Sequence, residues 1–122
     1  MKRAATVLVG LVALEHLGFL VMEMVLWNTA FVRHAFGTTP EFAAQSAALA
    51  ANQGLYNGFL AAGLLWGLWI DSGRVAVFFL GCVIVAGLFG AVTVKPAILF
   101  IQALPAAVAL ACVVLSRTRM ER

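Results

Sequence analysis

Two carboxylates and one imidazole lie inside an otherwise apolar run near the start of the chain. Glu15 and His16 are neighbours, and Glu23 follows within the same run. On an α-helix, which turns about 100° per residue, His16 and Glu23 fall on one stripe and Glu15 on the adjacent one. Ionisable side chains inside a membrane span are costly and mark functional sites by default. A purely structural pair would need one acid and one base, whereas this strip has two acids, so we predict a functional pocket here.

This acidic strip is compatible with several chemistries. Carboxylates and imidazole are metal ligands, and helix bundles can hold metals with inward-facing residues, so a divalent metal bound by Glu15, His16 and Glu23 is one hypothesis. The Glu-x-x-His spacing of di-iron bundles is absent. Haem held by two histidines is excluded, because His16 and His34 would lie about 27 Å apart along one helix. A His–Glu pair can transfer protons, but no Ser or Cys nucleophile is evident at matching depth. Carboxylates beside amides also suit a small polar or cationic ligand.

A second polar segment offers the complement to this strip. A later apolar helix carries four hydrogen-bonding side chains close together: Asn52, Gln53, Tyr56 and Asn57. At about 1.5 Å of rise per residue, their depth in the membrane matches that of Glu15 and Glu23. Gln102 of the last predicted helix can join them from the outer side. We therefore predict a polar pocket between the first two helices, lined by all these residues together with His16.

Each of these residues also has a structural interpretation. Asn and Gln side chains can connect helices through hydrogen bonds that contribute only about 1 kcal/mol each. Trp27 is best explained as a packing or interface aromatic. Met22 and Met24 are more often core filler than copper ligands. The hypothesis of a site therefore depends mainly on Glu15 and His16, with Glu23.

The composition places this strip in a membrane. The chain is 64% hydrophobic, only 11% charged, and has a mean hydropathy of +1.04, whereas about a quarter of a soluble domain is charged. The net charge of +3 comes without a basic face, so nucleic acid is not an expected partner. Cys82 and Cys112 both lie in apolar runs, which favours buried thiols over a disulfide or a zinc site.

The apolar runs predict an all-α, four-helix transmembrane bundle in a single domain of residues 1–122. The predicted helices cover about 4–31, 41–70, 74–94 and 96–116. The first run is too long for a signal peptide, so we interpret it as a membrane span. Thr39, Pro40 and Glu41 suit the start of the second helix as cap, first residue and acidic first turn. Pro105 lies inside the fourth helix and should kink it by freeing the carbonyl of Ile101.

Glycines on the second predicted helix form two close-packing faces. Gly54 and Gly58 share one face, and Gly63 and Gly67 share another on roughly the opposite side. Small residues let helices approach closely in lipid. This pattern predicts that the second helix is packed on both sides, and a homo-oligomer through the glycine-rich faces of the second and third helices is a further hypothesis.

The basic residues predict the topology. With both termini on one side, that side holds six of the basic residues: Lys2, Arg3, Arg74, Arg117, Arg119 and Arg122. The other side holds Arg33 and Lys95. Cytoplasmic loops carry the excess of Lys and Arg, so we expect both termini in the cytoplasm.

The polar segments resemble those of a known family. Glu15-His16, then Glu23-Met24 and Trp27, then the run Asn52-Gln53-Gly54-Leu55-Tyr56-Asn57 resemble the small bacterial membrane proteins of the domain-of-unknown-function family 1304. The resemblance implies a multi-pass protein of the bacterial inner membrane and implies no activity. We expect a pocket that binds a small polar ligand or ion. The alternatives are a membrane enzyme, metal-dependent or not, that uses Glu15, His16 and Glu23, and a structural or partner subunit without a site.

Overall fold

The computed structural model describes residues 1–118, which are helical almost throughout. In chain order the elements are α1 (Arg3–Met24), α2 (Ala30–Phe36), α3 (Pro40–Trp69), α4 (Gly73–Thr93), a π-helical turn (Leu99–Ala103) and α5 (Leu104–Thr118). No β-strand occurs among the described residues, and the predicted all-α class is confirmed. Arg119 and Arg122, which entered the charge balance, lie outside these residues.

The end of the predicted first helix is wrong, and residues 1–118 form five α-helices where four were expected. α1 ends at Met24, where the backbone N–H groups of Val25 and Leu26 both bond to the carbonyl of Val21, at 3.0 and 3.1 Å. The Thr29 hydroxyl then caps α2 by accepting a hydrogen bond from the Val32 N–H at 3.3 Å. Thr side chains favour caps because they compete for backbone groups. The apolar run alone did not reveal this break.

The start of α3 agrees with the prediction. α3 begins at Pro40, the Thr39 hydroxyl accepts from the Phe42 N–H at 3.2 Å, and Glu41 lies in the first turn. The helix continues to Trp69 without a break at Gly54. With 30 residues it is about 45 Å long, more than the roughly 30 Å of a hydrocarbon core.

The last two spans form a hairpin, with a wider helical turn before Pro105. α4 packs against the π-helical turn and α5. The Leu104 N–H bonds to the carbonyl of Leu99, five residues back, directly before Pro105. Proline cannot donate to the carbonyl four residues earlier, so the chain widens into a π-turn at the place where a kink was predicted.

Three helical segments are long and apolar enough to cross a membrane: Arg3–Met24, Gly73–Thr93 and Leu99–Arg117. They support a multi-pass membrane protein. α3 is not among them, because its run of polar side chains from Asn52 to Asn57 lowers its hydropathy.

The chain forms two compact units. One consists of Met1–Leu14 and the chain from Leu60 onward, and the other of Glu15–Phe59. The first unit has a core of small and branched apolar side chains: Ala5, Val9, Val12, Ala13, Leu64, Ala76, Leu80, Val83, Ala106, Ala109 and Val113. Cys82 and Cys112 are half-buried free thiols in this unit.

Both glycine faces of α3 are used, as predicted. Within the second unit Gly54 and Gly58 contact α1, and within the first unit Gly63 and Gly67 contact Phe79 and the start of α4 around Ala76. A methyl group on Gly63 would overlap the Phe79 ring. These faces of α3 are therefore occupied inside the chain, and the homo-oligomer predicted through them remains a prediction.

Candidate functional site

The close approach of α1 to α3 positions the candidate site. A Cβ atom added to Gly54 would lie 3.0 Å from the Glu23 Cβ and 3.2 Å from the Leu20 carbonyl oxygen. A Cβ atom on Gly58 would lie 2.6 Å from the Leu20 Cδ1. Only glycine leaves room for this contact. The stripe that contains Leu20 and Glu23 thus faces α3.

Glu23 is held by a hydrogen bond from α3. The Asn57 Nδ2 donates to the Glu23 Oε2 at 2.7 Å, and both side chains are half-buried. A bond of this length is typical of an amide donor paired with a carboxylate. This hydrogen bond fixes the Glu23 carboxylate through its Oε2 atom. The Glu23 Oε1 atom can still accept a hydrogen bond from another partner.

Glu15 has a different environment on the same helix. Its Oε2 atom is buried and has no hydrogen-bond partner among the described residues. The neighbouring His16 is fully buried, with its ring edge-on to Phe19 at 5.4 Å between centroids. A buried acceptor without a donor costs roughly 1–3 kcal/mol. Glu15 is therefore the carboxylate in this unit that a bound cation or hydrogen-bond donor would stabilise most.

Three predicted pocket residues on α3 lie away from α1. The side chains of Asn52 and Gln53 are exposed and make no hydrogen bond within residues 1–118. Tyr56 is 50% exposed, with its ring 6.0 Å from that of Phe59. The reason is helical periodicity: Asn52 and Tyr56 lie about 160° around the helix from the Gly54–Gly58 face. The structure therefore brings Asn57 alone of this segment to Glu23.

Gln102 lies in the other compact unit. It is half-buried in the π-helical turn and has an interaction of its own. Its predicted role at the pocket remains a prediction.

The described residues contain no cluster of ligands that would support the metal hypothesis. Within residues 1–118, no three His, Cys, Asp or Glu side chains come together in a way that would hold a metal ion. Glu15 and Glu23 are separated by about 12 Å of rise along α1, and Asn57 is the group that meets Glu23. We therefore do not propose a metal site.

Trp27 has the structural role expected of it. Its Nε1 donates to the Ser46 hydroxyl at 3.1 Å, and the Ser46 hydroxyl donates to the Phe42 carbonyl at 2.7 Å. Its ring also meets Phe36 edge-on at 5.1 Å. The Trp27 indole therefore connects the turn after α1 to α3 through its hydrogen bond to Ser46. Sequence reasoning missed Ser46 as its partner, although both are standard hydrogen-bonding types.

The family of the chain follows from a comparison of its sequence. The family described as "Protein of unknown function (DUF1304)" matches residues 10–114. The chain belongs to this family. The matched range includes Glu15, His16, Glu23 and Asn57, so the resemblance drawn from these segments is confirmed. No curated protein and no solved structure matches the chain. The family supplies no activity, so function has to be argued from the site.

Proposed function

We propose that this protein is a four-span protein of the bacterial inner membrane that binds a small cation or a hydrogen-bond-donating polar ligand. The site consists of Glu15, His16 and Glu23 of α1 and Asn57 of α3. All four belong to the same compact unit. The observation that carries the proposal is the buried Glu15 oxygen without a donor, next to the fully buried His16.

The charge of the site favours a cation. Two carboxylates and one imidazole bring more acid than base to an apolar span, and Asn57 contributes donors but no charge. A positively charged or donor-rich ligand would satisfy the Glu15 oxygen, while Glu23, about 12 Å further along α1, adds to the negative charge of the span without contacting the same small ligand. An anion would meet two carboxylates in a medium of low dielectric, where repulsion is strongest.

The fourth span in this proposal is α3. Its length of about 45 Å is sufficient for a bilayer. Asn57, its polar residue facing α1, is hydrogen-bonded to Glu23, as backbone and side-chain polar groups within membranes have to be. With α3 as a span, the six-to-two balance of basic residues supports a cytoplasmic position for both termini.

Binding can be tested in lipid nanodiscs with a panel of alkali, methylammonium and guanidinium chlorides. We expect at least one of these cations to raise the Tm of the wild type. The shift should be lost in Glu15→Gln, which removes the charge and keeps the shape. Glu41→Gln is the control, because Glu41 is an exposed carboxylate in the first turn of α3. If every cation leaves Tm unchanged, or if both variants respond like the wild type, the proposal is wrong and a subunit without a site becomes the better interpretation.

A further inference from the structure

A cleft of about 440 Å³ lies at the end of the spans in the first compact unit. It is lined by residues from the chain start, the α3–α4 turn, the first turn of α4 and the last turn of α5: Met1, Ile70, Asp71, Ser72, Gly73, Arg74, Ser116 and Arg117. None of these residues belongs to the Glu15–Asn57 site. The cleft is large enough for a phosphate group and part of the moiety that carries it.

Two arginines, Arg74 and Arg117, line this cleft. Arg74 lies in the first turn of α4, and the Arg117 side chain crosses Gly73, with its Cδ 3.0 Å from the position a Cβ would occupy there. The end of α5 carries the negative end of a helix dipole and offsets part of the Arg117 charge. Arg74 instead adds a positive charge to the positive end of the α4 dipole, where no acidic residue balances it.

Among the described residues, a single carboxylate lines the cleft, that of Asp71, and it is already paired. The Asp71 Oδ1 lies 2.6 Å from the Met1 amino group, so this ion pair adds no net charge. The remaining charge on the lining is that of Arg74 and Arg117. An anion would therefore find a positive lining with no uncompensated acid among the residues that form it.

Backbone donors complete the arrangement. The first N–H groups of a helix have no intrahelical partner. At the start of α4, Ser72 accepts from two of them, through its hydroxyl from the Val75 N–H at 3.4 Å and through its carbonyl from the Ala76 N–H at 3.1 Å. Within residues 1–118, the N–H groups of Gly73 and Arg74 have no hydrogen-bond acceptor and can donate to a ligand. Guanidinium forks and helix N-terminal N–H groups are both suited to phosphate oxygens.

We propose that this cleft binds a phosphate group, presented by an anionic phospholipid headgroup or by free phosphate. The cleft lies at the end of the membrane spans, which is where lipid phosphates are found. The inference is independent of the proposed function, because it uses a different set of residues in a different unit.

The test compares the two sources of phosphate on the full-length protein. In the first arm, native mass spectrometry measures retention of phosphatidylglycerol by protein from nanodiscs of mixed phosphatidylglycerol and phosphatidylcholine. In the second arm, inorganic phosphate is titrated into protein in phosphatidylcholine nanodiscs, and Tm is followed. Retention of phosphatidylglycerol in the first arm supports the lipid source, and a phosphate-dependent Tm in the second supports free phosphate.

The variants decide whether the cleft is responsible. Arg74→Gln and Arg117→Gln should each weaken binding about tenfold, as expected for loss of a charge-assisted pair. Arg3→Gln is the matched control, since it removes an exposed positive charge at the same end of the spans without lining the cleft, and it should change binding less than about twofold. Arg74→Lys keeps the positive charge but loses the planar guanidinium group that can donate two parallel hydrogen bonds to phosphate. This variant should also bind more weakly than the wild type. Absence of binding in both arms, or equal loss in Arg3→Gln, would overturn the proposal.

Discussion

Two carboxylates on one helix differ in what each can still bind. Glu23 receives a hydrogen bond from Asn57 at 2.7 Å, whereas the buried Glu15 oxygen receives none within residues 1–118. An unpaired acceptor in an apolar environment interacts more strongly with an incoming cation than one whose partner is already present. Glu15 is therefore expected to dominate affinity, and Glu23 with Asn57 to hold the helices in register.

The Asn57 hydrogen bond can be measured separately from any ligand. Asn57→Ala leaves the Glu23 oxygen without its donor, and we expect it to lower the free energy of unfolding by about 1 kcal/mol, within the range found for such bonds in membranes. Asn52→Ala, on the exposed side of α3, should change it by less than about 0.5 kcal/mol. Both can be followed by reversible unfolding in mixed detergent micelles. Equal effects of the two variants would mean that the bond between α1 and α3 contributes no stability.

At the scale of helices, glycine contacts determine how closely the segments pack. Gly87 of α4 faces the π-helical turn, where a Cβ atom would lie 2.9 Å from both the Cβ and the backbone nitrogen of Ala103. A flexible side chain could move aside, but this backbone atom is fixed by the turn before Pro105. Gly81 of the same helix has no atom within 4 Å of a Cβ position. The two glycines thus differ in packing while sharing one helix.

This difference predicts opposite effects of the same substitution. Gly87→Ala should destabilise the protein by about 1–3 kcal/mol through overpacking against Ala103. Gly81→Ala should be neutral or stabilise by up to about 1 kcal/mol, because alanine is the better helix former. Unfolding free energies of both variants, measured side by side, test the contact of α4 with the π-turn. A stabilising Gly87→Ala would show that α4 and the turn are not in close contact.

The whole molecule exposes apolar side chains along its candidate spans. Val92 and Phe89 of α4 are 88% and 70% exposed. Large exposed apolar surfaces are unfavourable in water and are satisfied by lipid. The core of the first unit, in contrast, contains mainly alanine, valine and leucine, as expected where helices in lipid approach closely.

Topology is the prediction that belongs to this scale. We expect reporter fusions after Arg122 and within residues 71–74 to be cytoplasmic, and fusions within residues 37–39 and 94–97 to be periplasmic. The reason is the excess of Lys and Arg on the side of the termini. Paired fusions of a fluorescent protein and alkaline phosphatase give complementary signals at each position. Phosphatase activity from a fusion after Arg122 would contradict this orientation, and activity at 71–74 would show that α3 does not cross the membrane.

The sequence by itself determined the all-α class, the apolar spans and most element boundaries from α3 onward. These follow from local physics. Hydropathy identifies the spans. At the start of α3, Thr39 accepts a hydrogen bond from a backbone N–H, Pro40 has no N–H to leave unpaired, and the negative charge of Glu41 lies at the positive end of the helix dipole. The acidic strip of Glu15, His16 and Glu23 was also predictable, because ionisable residues within an apolar run can be identified from the sequence alone. The two opposite glycine faces of α3 follow from helical periodicity in the same way.

Only the tertiary structure decided which polar residues meet. Asn52, Gln53, Tyr56 and Asn57 have similar chemistry and depth, so the choice depends on the rotation of α3 about its axis. The glycine contact with Leu20 and Glu23 sets that rotation and directs Asn57 toward α1. The cleft between the chain start, the α3–α4 turn and the end of α5 was likewise invisible, because its basic residues are far apart in sequence. Rotation and long-range proximity are collective results of packing, and no single segment encodes them.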